Sequence, residues 1–333
     1  MINSVSKIIK KFDLTKEEAY QLANSMVNKE IDDDIIALAL KSLAEKGETE
    51  NEILGFVDAF KERMIKIEYN DGDFIDVCGM GGDKSNTFNV STATALVLAA
   101  YGVKVAKHGN RAVSSSSGSS DVLAELGVPI FNEKDKILSM LDKTNFVFLF
   151  APYFHPAFKN VAEVRKKLAI KTIFNMLGPL LNPMQPKKQL IGTPAFVFLE
   201  KIFSAASQID YEKIAVINEA DQFDEVVLQD EVRAYIKNHL VDKLKFLPEY
   251  FIANPINLDK IKCNTPKESA EIILSVIKDR VKSEAYDVIV ANSSLVLYLL
   301  EGKKSLVEYI GDIKETIDSG KVYENLIKIQ NFK

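Results

Sequence analysis

Between Gly79 and Ser119 the chain carries two polar blocks, GMGGDKSNTFNVSTA and KHGNRAVSSSSGS, each preceded by a strand-like segment. Gly79, Gly81 and Gly82 follow directly on DFIDVC. Glycines admit positive φ and let bare backbone amides approach an anion. Asn89, Ser91 and Thr92 sit at the entry to an apolar helix, whose free N-terminal N–H groups suit a phosphate. A tight turn with an N-cap accounts for this block equally well on its own. The spacing matches neither a Walker A loop nor G-x-G-x-x-G. In the second block Lys107, His108, Asn110 and Arg111 stand where the strand VKVAK ends, followed by Ser114, Ser115, Ser116, Ser117 and Ser119. Ligands of open parallel sheets bind beyond the carboxyl ends of strands. Cations and amides beside a hydroxyl run suit phosphate and ribose oxygens. The plainer alternative is a solvated basic loop, and His108 alone would more often be structural. Facing each other across one βαβ unit, the two blocks point to a phosphosugar site.

Asp224 and Glu225 follow the strand KIAVINEA in the loop ADQFDEVV. Adjacent loop carboxylates are usually just solvated. These lie past a strand end, and Mg²⁺ uses one or two carboxylates together with substrate phosphates. Arg165 lies in the helical segment VAEVRKKL beside Lys166 and Lys167. It becomes an anion clamp only if the following Gly/Pro-rich turn folds this helix over the sheet edge, where its planar fork could pair with a carboxylate.

The elements that must position these groups are an N-terminal helical region over residues 1–66 and an alternating strand–helix region from 73 onward. Thr15 with Glu18 and Thr49 with Glu52 are capping-box pairs, and Asp32, Asp33 and Asp34 suit a helix start closed at Gly47. Beyond residue 73, DFIDVC, VKVAK, NFVFLFAP, KIAVINE and YDVIVAN read as strands, and STATALVLAAY, DVLAEL and SLVLYLLEG as helices. That alternation implies an α/β fold with a mostly parallel central sheet covered by helices. The run from Ala157 to Pro186 breaks the rhythm, reading as helix and then a stop at Gly178, Pro179 and Pro183.

At 333 residues with 47% apolar and 27% charged residues, the chain is an ordinary globular protein with room for two domains. A net charge of −5 with mixed signs disfavours non-specific nucleic-acid binding. Cys78 and Cys263 lack metal-type spacing, which fits a reducing, cytoplasmic setting. No signal-peptide pattern or membrane-length apolar run is expected to place the chain elsewhere.

Taken together, GMGGD, NVST, KHGNR, the DE pair, APYFHPA and FNMLGPLLNP resemble the anthranilate phosphoribosyltransferase family over nearly the whole chain. The resemblance implies a small helical domain, 1–66 joined by helices around 160–183, on an α/β domain of the nucleoside phosphorylase/phosphoribosyltransferase type, 73–333. It implies a homodimer joined through the helical domain. It also implies that Gly79, Gly82, Asp83, Thr87, Asn89, Val90, Ser91, Thr92, Lys107, His108, Gly109, Asn110, Arg111, Ala112, Val113, Ser114, Ser115 and Ser119 hold phosphoribosyl pyrophosphate. Ser91, Asp224 and Glu225 would hold two Mg²⁺ ions, and Gly79, Asn110 and Arg165 would touch anthranilate. No covalent nucleophile is implied. The implied reaction joins the phosphoribosyl group to the amine of anthranilate, in tryptophan biosynthesis. The chain departs from the family pattern at Met80, where a threonine is usual, at Ser116 for lysine, and at Ala169 and Lys171 for glycine and arginine. The competing readings are a pyrimidine nucleoside phosphorylase-like enzyme and a non-catalytic nucleic-acid-binding relative.

Overall fold

The computed structural model describes residues 2–83, 85–111, 118–251 and 256–333. Its N-terminal part is four helices, α1 (Ile2–Ile9), α2 (Lys16–Val27), α3 (Asp33–Lys46) and α4 (Glu50–Glu62). Their ends form where local chemistry dictates. The Thr15 and Thr49 hydroxyls accept the Glu18 and Glu52 N–H groups, and both glutamates reach back to the cap residue's own N–H. Each box satisfies amides that a helix start leaves orphaned, an arrangement worth about 1 kcal/mol per cap.

From residue 75 the chain alternates. It runs through β1 (Ile75–Gly79), α5 (Val90–Tyr101), β2 (Val105–Gly109), α6 (Ser119–Glu125), α7 (Lys134–Thr144), β3 (Phe146–Phe150), α8 (Ala151–Phe154), α9 (Lys159–Leu168) and α10 (Phe174–Leu177). It continues through β4 (Lys188–Gly192), α11 (Phe196–Ala206), β5 (Lys213–Glu219), β6 (Val232–Lys237) and β7 (Val241–Phe246). Helices α12 (Pro266–Ile277), α13 (Glu284–Val296), α14 (Leu306–Asp318) and α15 (Lys321–Gln330) follow. The sheet has seven strands in the order β3-β2-β1-β4-β5-β6-β7. β1 to β5 pair in parallel, and β6 and β7 add antiparallel at one edge. The chain winds one way from β1 and the other way from β4, so the crevice between these two strands is the topological switch point.

Two apolar cores sit on the two faces. β5 shows the division, because side chains alternate across a strand. Ala215 and Ile217 enter one core with α5 and α13–α15, while Ile214 and Val216 enter the other with α2–α4, α9, α10 and α11. Asn160 on α9 donates to the Val27 carbonyl at 2.7 Å, tying α9 to the N-terminal helices.

Several sequence expectations need correction. YDVIVAN lies in α13, not in a strand; every residue from Val288 to Val296 is buried, and periodicity cannot separate a buried helix from a buried strand. β3 stops at Phe150 and the chain turns helical at once. β2 extends to Gly109, so Lys107 is an interior strand residue rather than the strand's end. β4, β6 and β7 were not expected. The long run after Ala157 is two helices, broken between Ala169 and Ile173.

At that break Ala169 closes α9 in the left-handed region, φ 50° and ψ 28°. A Cβ there is strained by about 1–2 kcal/mol, and part of the gain on removing it is lost to the greater freedom of unfolded glycine. Ala169→Gly is therefore expected to stabilise the protein by about 0.5–1 kcal/mol, read as a higher urea midpoint at unchanged slope. A lower midpoint would refute the strain.

Candidate active site

The switch-point crevice is shaped by two glycines. Gly79 and Gly192 are register partners at the ends of β1 and β4. A Cβ on Gly79 would come within 2.4 Å of Asp224 Oδ2, and one on Gly192 within 1.6 Å of the Asp224 carbonyl oxygen. Only bare backbone lets the carboxylate loop lie across both strand ends. Asp224 Oδ2 then accepts the Gly81 N–H at 2.7 Å, and Met80 N–H donates to the Gly192 carbonyl at 2.8 Å. Gly81 and Gly82 hold φ of 71° and 81°, which explains glycine at both positions.

The loop carrying Asp224 and Glu225 is held from beneath. The buried Glu219 side chain accepts N–H groups from Val227, Leu228, Gln229 and Asp230. Asn292 on α13 takes both polar groups of Val226, accepting its N–H at 3.0 Å and donating to its carbonyl at 2.7 Å. Asn218 donates to the Phe223 carbonyl at 3.1 Å. Burial, and secondarily the Asp83 carboxylate, push Asp224 up to about 7. Glu225 is also pushed well up, by burial first and then by the charges of Asp224 and Asp83.

These carboxylates meet the start of α5. Asn89 caps that helix, accepting the Thr92 N–H at 3.1 Å, and its own N–H donates to Ser269 Oγ. Val90 is buried as the first helical residue, and Thr92 is buried with no hydrogen-bond partner for its hydroxyl among the described residues. Ser91 donates its N–H to Glu225 Oε1 at 3.0 Å and accepts Lys107 Nζ on its hydroxyl at 3.1 Å. Lys107 is 1% exposed and also donates to the Val77 carbonyl. Desolvation lowers the pKa of this buried ammonium, while Asp76 and the other nearby acids work the other way. Thr87 bridges to Lys262 and shares a hydrogen bond with Ser85, whose N–H reaches Asp83.

The second block divides. Gly109 ends β2 beside Ser119, where a Cβ would be tight: Phe148 Cε2 would lie at 3.0 Å and Ser119 Cβ at 3.3 Å. Asn110 and Arg111 are exposed, and Ala112, Val113, Ser114, Ser115, Ser116 and Ser117 lie outside the described residues. The His108 ring does not join the Lys107–Ser91 group. It packs 5.1 Å from the ring of His155, which packs on Phe158, which packs on Phe174. Arg165 lies 5.0 Å over that Phe174 ring. A ring-to-ring run thus connects the end of β2 with α9.

Both imidazoles are anchored to the turn after α10, His108 on the Gly178 backbone and His155 on the Leu181 backbone. Each leaves a buried Nε2 with no partner among the described residues. Burial lowers them to about 3 and about 4, so both are neutral near pH 7 and present an acceptor nitrogen. The Arg165 guanidinium is half-buried, its pKa lowered by desolvation, and among the described residues no carboxylate pairs with it. Sequence reasoning missed His155, Glu219 and Asn292. Only APYFHPA, directly after a strand, gave any signal for the first.

The donors fit a hard cation such as Mg²⁺: the buried Asp224 and half-buried Glu225 carboxylates, which repel each other, a hydroxyl at Ser91, and nearby Asp83. Among the described residues no three His, Cys, Asp or Glu side chains make a complete metal site. Mg²⁺ does not require one, since it keeps water and takes oxygens from its substrate.

Comparison with known proteins agrees with this geometry. Residues 3–64 match the helical bundle domain, and residues 71–323 the a/b domain, of a glycosyl transferase family. An anthranilate phosphoribosyltransferase of Caldicellulosiruptor saccharolyticus is 41% identical over 96% of this chain and 95% of its own. The chain belongs to the anthranilate phosphoribosyltransferase family. A second member, from Methanococcus vannielii, is 38% identical over 98% of this chain and 99% of its own. The crystal structure of the Thermus thermophilus enzyme superposes with a TM-score of 0.90 at 31% identity, covering 99% of this chain and 98% of that one. Among the described residues no helix is long and apolar enough to cross a membrane.

Proposed function

We propose that the protein transfers the phosphoribosyl group of 5-phosphoribosyl 1-pyrophosphate to the amine of anthranilate, releasing pyrophosphate, as a step of tryptophan biosynthesis in the cytoplasm. The observation that carries this is Ser91. One residue meets Glu225 through its N–H and Lys107 through its hydroxyl, so an acid pair for a cation and a buried cation for phosphate converge at one helix start.

Asp224, Glu225 and Ser91 would hold Mg²⁺, two ions by the family resemblance, and the bound charge would help neutralise the departing pyrophosphate. Gly79, Gly82, Asp83, Thr87, the start of α5, Lys107, the segment from Gly109 to Ser115, and Ser119 hold the phosphoribosyl donor. The C1–O bond breaks with its electron pair leaving on pyrophosphate, a C1–N bond forms, and the resulting ammonium passes one proton to water. Anthranilate's aryl amine is neutral near pH 7, so no strong base is needed. Positioning and electrostatic stabilisation carry the rate. Arg165 pairs with the acceptor's carboxylate, Gly79 and Asn110 line its path, and the neutral His108 and His155 rings back the acceptor half of the site. This moves the His108 ring from the donor side, where sequence placed it, to the acceptor side. Loss of anthranilate fluorescence on adding phosphoribosyl pyrophosphate and Mg²⁺ tests the reading; folded protein without turnover overturns it.

The enzyme is proposed to work as a homodimer through its helical part. α1 packs on α3, and together with the turn after α1 they leave Ile9, Phe12, Ile35 and Leu38 exposed, Phe12 at 63% and Leu38 at 47%. Clustered apolar exposure of this kind marks an interface. Phe12→Asp with Leu38→Asp is expected to convert a dimer to a folded monomer in sedimentation velocity. A dimer that survives both charges would place the interface elsewhere.

A further inference from the structure

β1 and β2 are neighbours that hardly pair. Among the described residues their only register partners are Ile75 and Val105, whereas β1–β4 and β2–β3 each run a full ladder. Backbone groups left by the split still need partners, and side chains supply them. Asp76 Oδ1 accepts the His108 N–H at 3.3 Å, and Asn182 Nδ2 donates to the Ala106 carbonyl at 2.9 Å. Asp76 Oδ2 accepts Asn182 Nδ2 at 2.9 Å and Gln189 Nε2 at 3.2 Å. Asp76 is 0% exposed.

Neither amide can turn round. Asn182 Oδ1 already accepts the Met184 N–H at 2.9 Å. Gln189 Oε1 accepts the Tyr211 hydroxyl, and its Nε2 also donates to the Pro179 carbonyl, both at 2.7 Å. Three fixed donors therefore converge on one side chain, and only a carboxylate offers an acceptor at both of its oxygens. Those donors belong to the His108 backbone, to the turn that carries the Gly178 and Leu181 anchors of the two imidazoles, and to the β4 residue bonded to that turn at Pro179.

We propose that Asp76 is the positioning residue of the acceptor half of the site, locking the end of β2 to the Gly178–Asn182 turn so that the His108 and His155 rings keep one orientation. The proposal rests on the acceptor-side assignment of these imidazoles made above. Asp76 touches no substrate and acts through His108.

Asp76→Asn keeps the shape but sets an NH₂ against a donor that cannot flip. Small misplacements of an orienting group are costly, so the KM for anthranilate is expected to rise by about tenfold or more, with that for phosphoribosyl pyrophosphate within about twofold. The chain has three histidines, so ¹⁵N-histidine labelling gives a direct second reading. The His108 ring signals should shift or split while those of His239 stay fixed. Gln189→Met, which cuts the tether to Pro179 and spares the carboxylate, should give the same pattern more weakly and serves if Asp76→Asn does not fold. Equal rises in both KM values, or unchanged KM values with unchanged His108 signals, would overturn the proposal. The NMR arm needs no turnover, so a failed acceptor assignment is distinguishable: the rings would move while anthranilate KM stayed constant.

Discussion

Asp224→Asn combined with Glu225→Gln is expected to lower kcat/KM by about a thousandfold and yet to stabilise the protein without divalent cation at pH 8. The two effects share one cause. The fold holds Asp224 against two strand ends, where burial and Asp83 push it up to about 7. The unfolded value is 3.8. Between these values the folded chain binds the proton more tightly than the unfolded one, so stability falls as pH rises through this window and stays low above it. Neutral amides remove that cost, although the Gly81 contact weakens it as a gain. A group kept only for structure would behave in the opposite way, with its loss destabilising the protein. Calorimetry at pH 6 and pH 8, with turnover against Mg²⁺ concentration, decides it. Unchanged turnover and Mg²⁺ dependence would remove the pair from the site, and a lower melting temperature at pH 8 would make it structural.

The sequence exposed whatever rests on neighbours in the chain. Thr15 with Glu18, Thr49 with Glu52 and the Asn89 cap are contacts three residues apart, so their helices were readable. The motif residues Ser91, Lys107, Asp224 and Glu225 were readable as chemistry, and the fold brings all four together. What stayed hidden depends on distance. Asp76 and Asn182 are 106 residues apart, and neither has a local reason to be polar and buried. Glu219 looked like the end of a strand, because the four amides it gathers come from a loop whose path was unknown. β4 was missed because its inward run is only QLIG, and α13 was misread because a fully buried helix loses its polar face. Lys107 was read at a strand end because the polar block begins there. It lies inside the strand because the parting of β1 from β2 gives its ammonium the Val77 carbonyl and the Ser91 hydroxyl.

Arg165→Ala is expected to raise the KM for anthranilate by about a hundredfold, with little change in the KM for phosphoribosyl pyrophosphate. Desolvation already lowers the pKa of this guanidinium, and no carboxylate among the described residues offsets the cost. A half-buried cation without a partner is an incomplete pair, and a carboxylate ligand completes it with two parallel hydrogen bonds. The aromatic run from His108 through Phe174 to Arg165 supplies flat apolar walls of the kind an aryl ring packs against. Arg165→Lys should recover only part of the loss, because an ammonium cannot reproduce the planar fork. Stability separates this role from packing. The contact the guanidinium makes, over Phe174, is worth about 0.5–1 kcal/mol, so the alanine variant should unfold at nearly the same urea concentration. An unchanged anthranilate KM would sink the assignment, and so would a large drop in stability with both KM values rising together. A selective effect on the acceptor would show that the helical side of the molecule supplies the acceptor's anchor while the sheet edge supplies the donor's, which gives the junction of the two cores its chemical purpose.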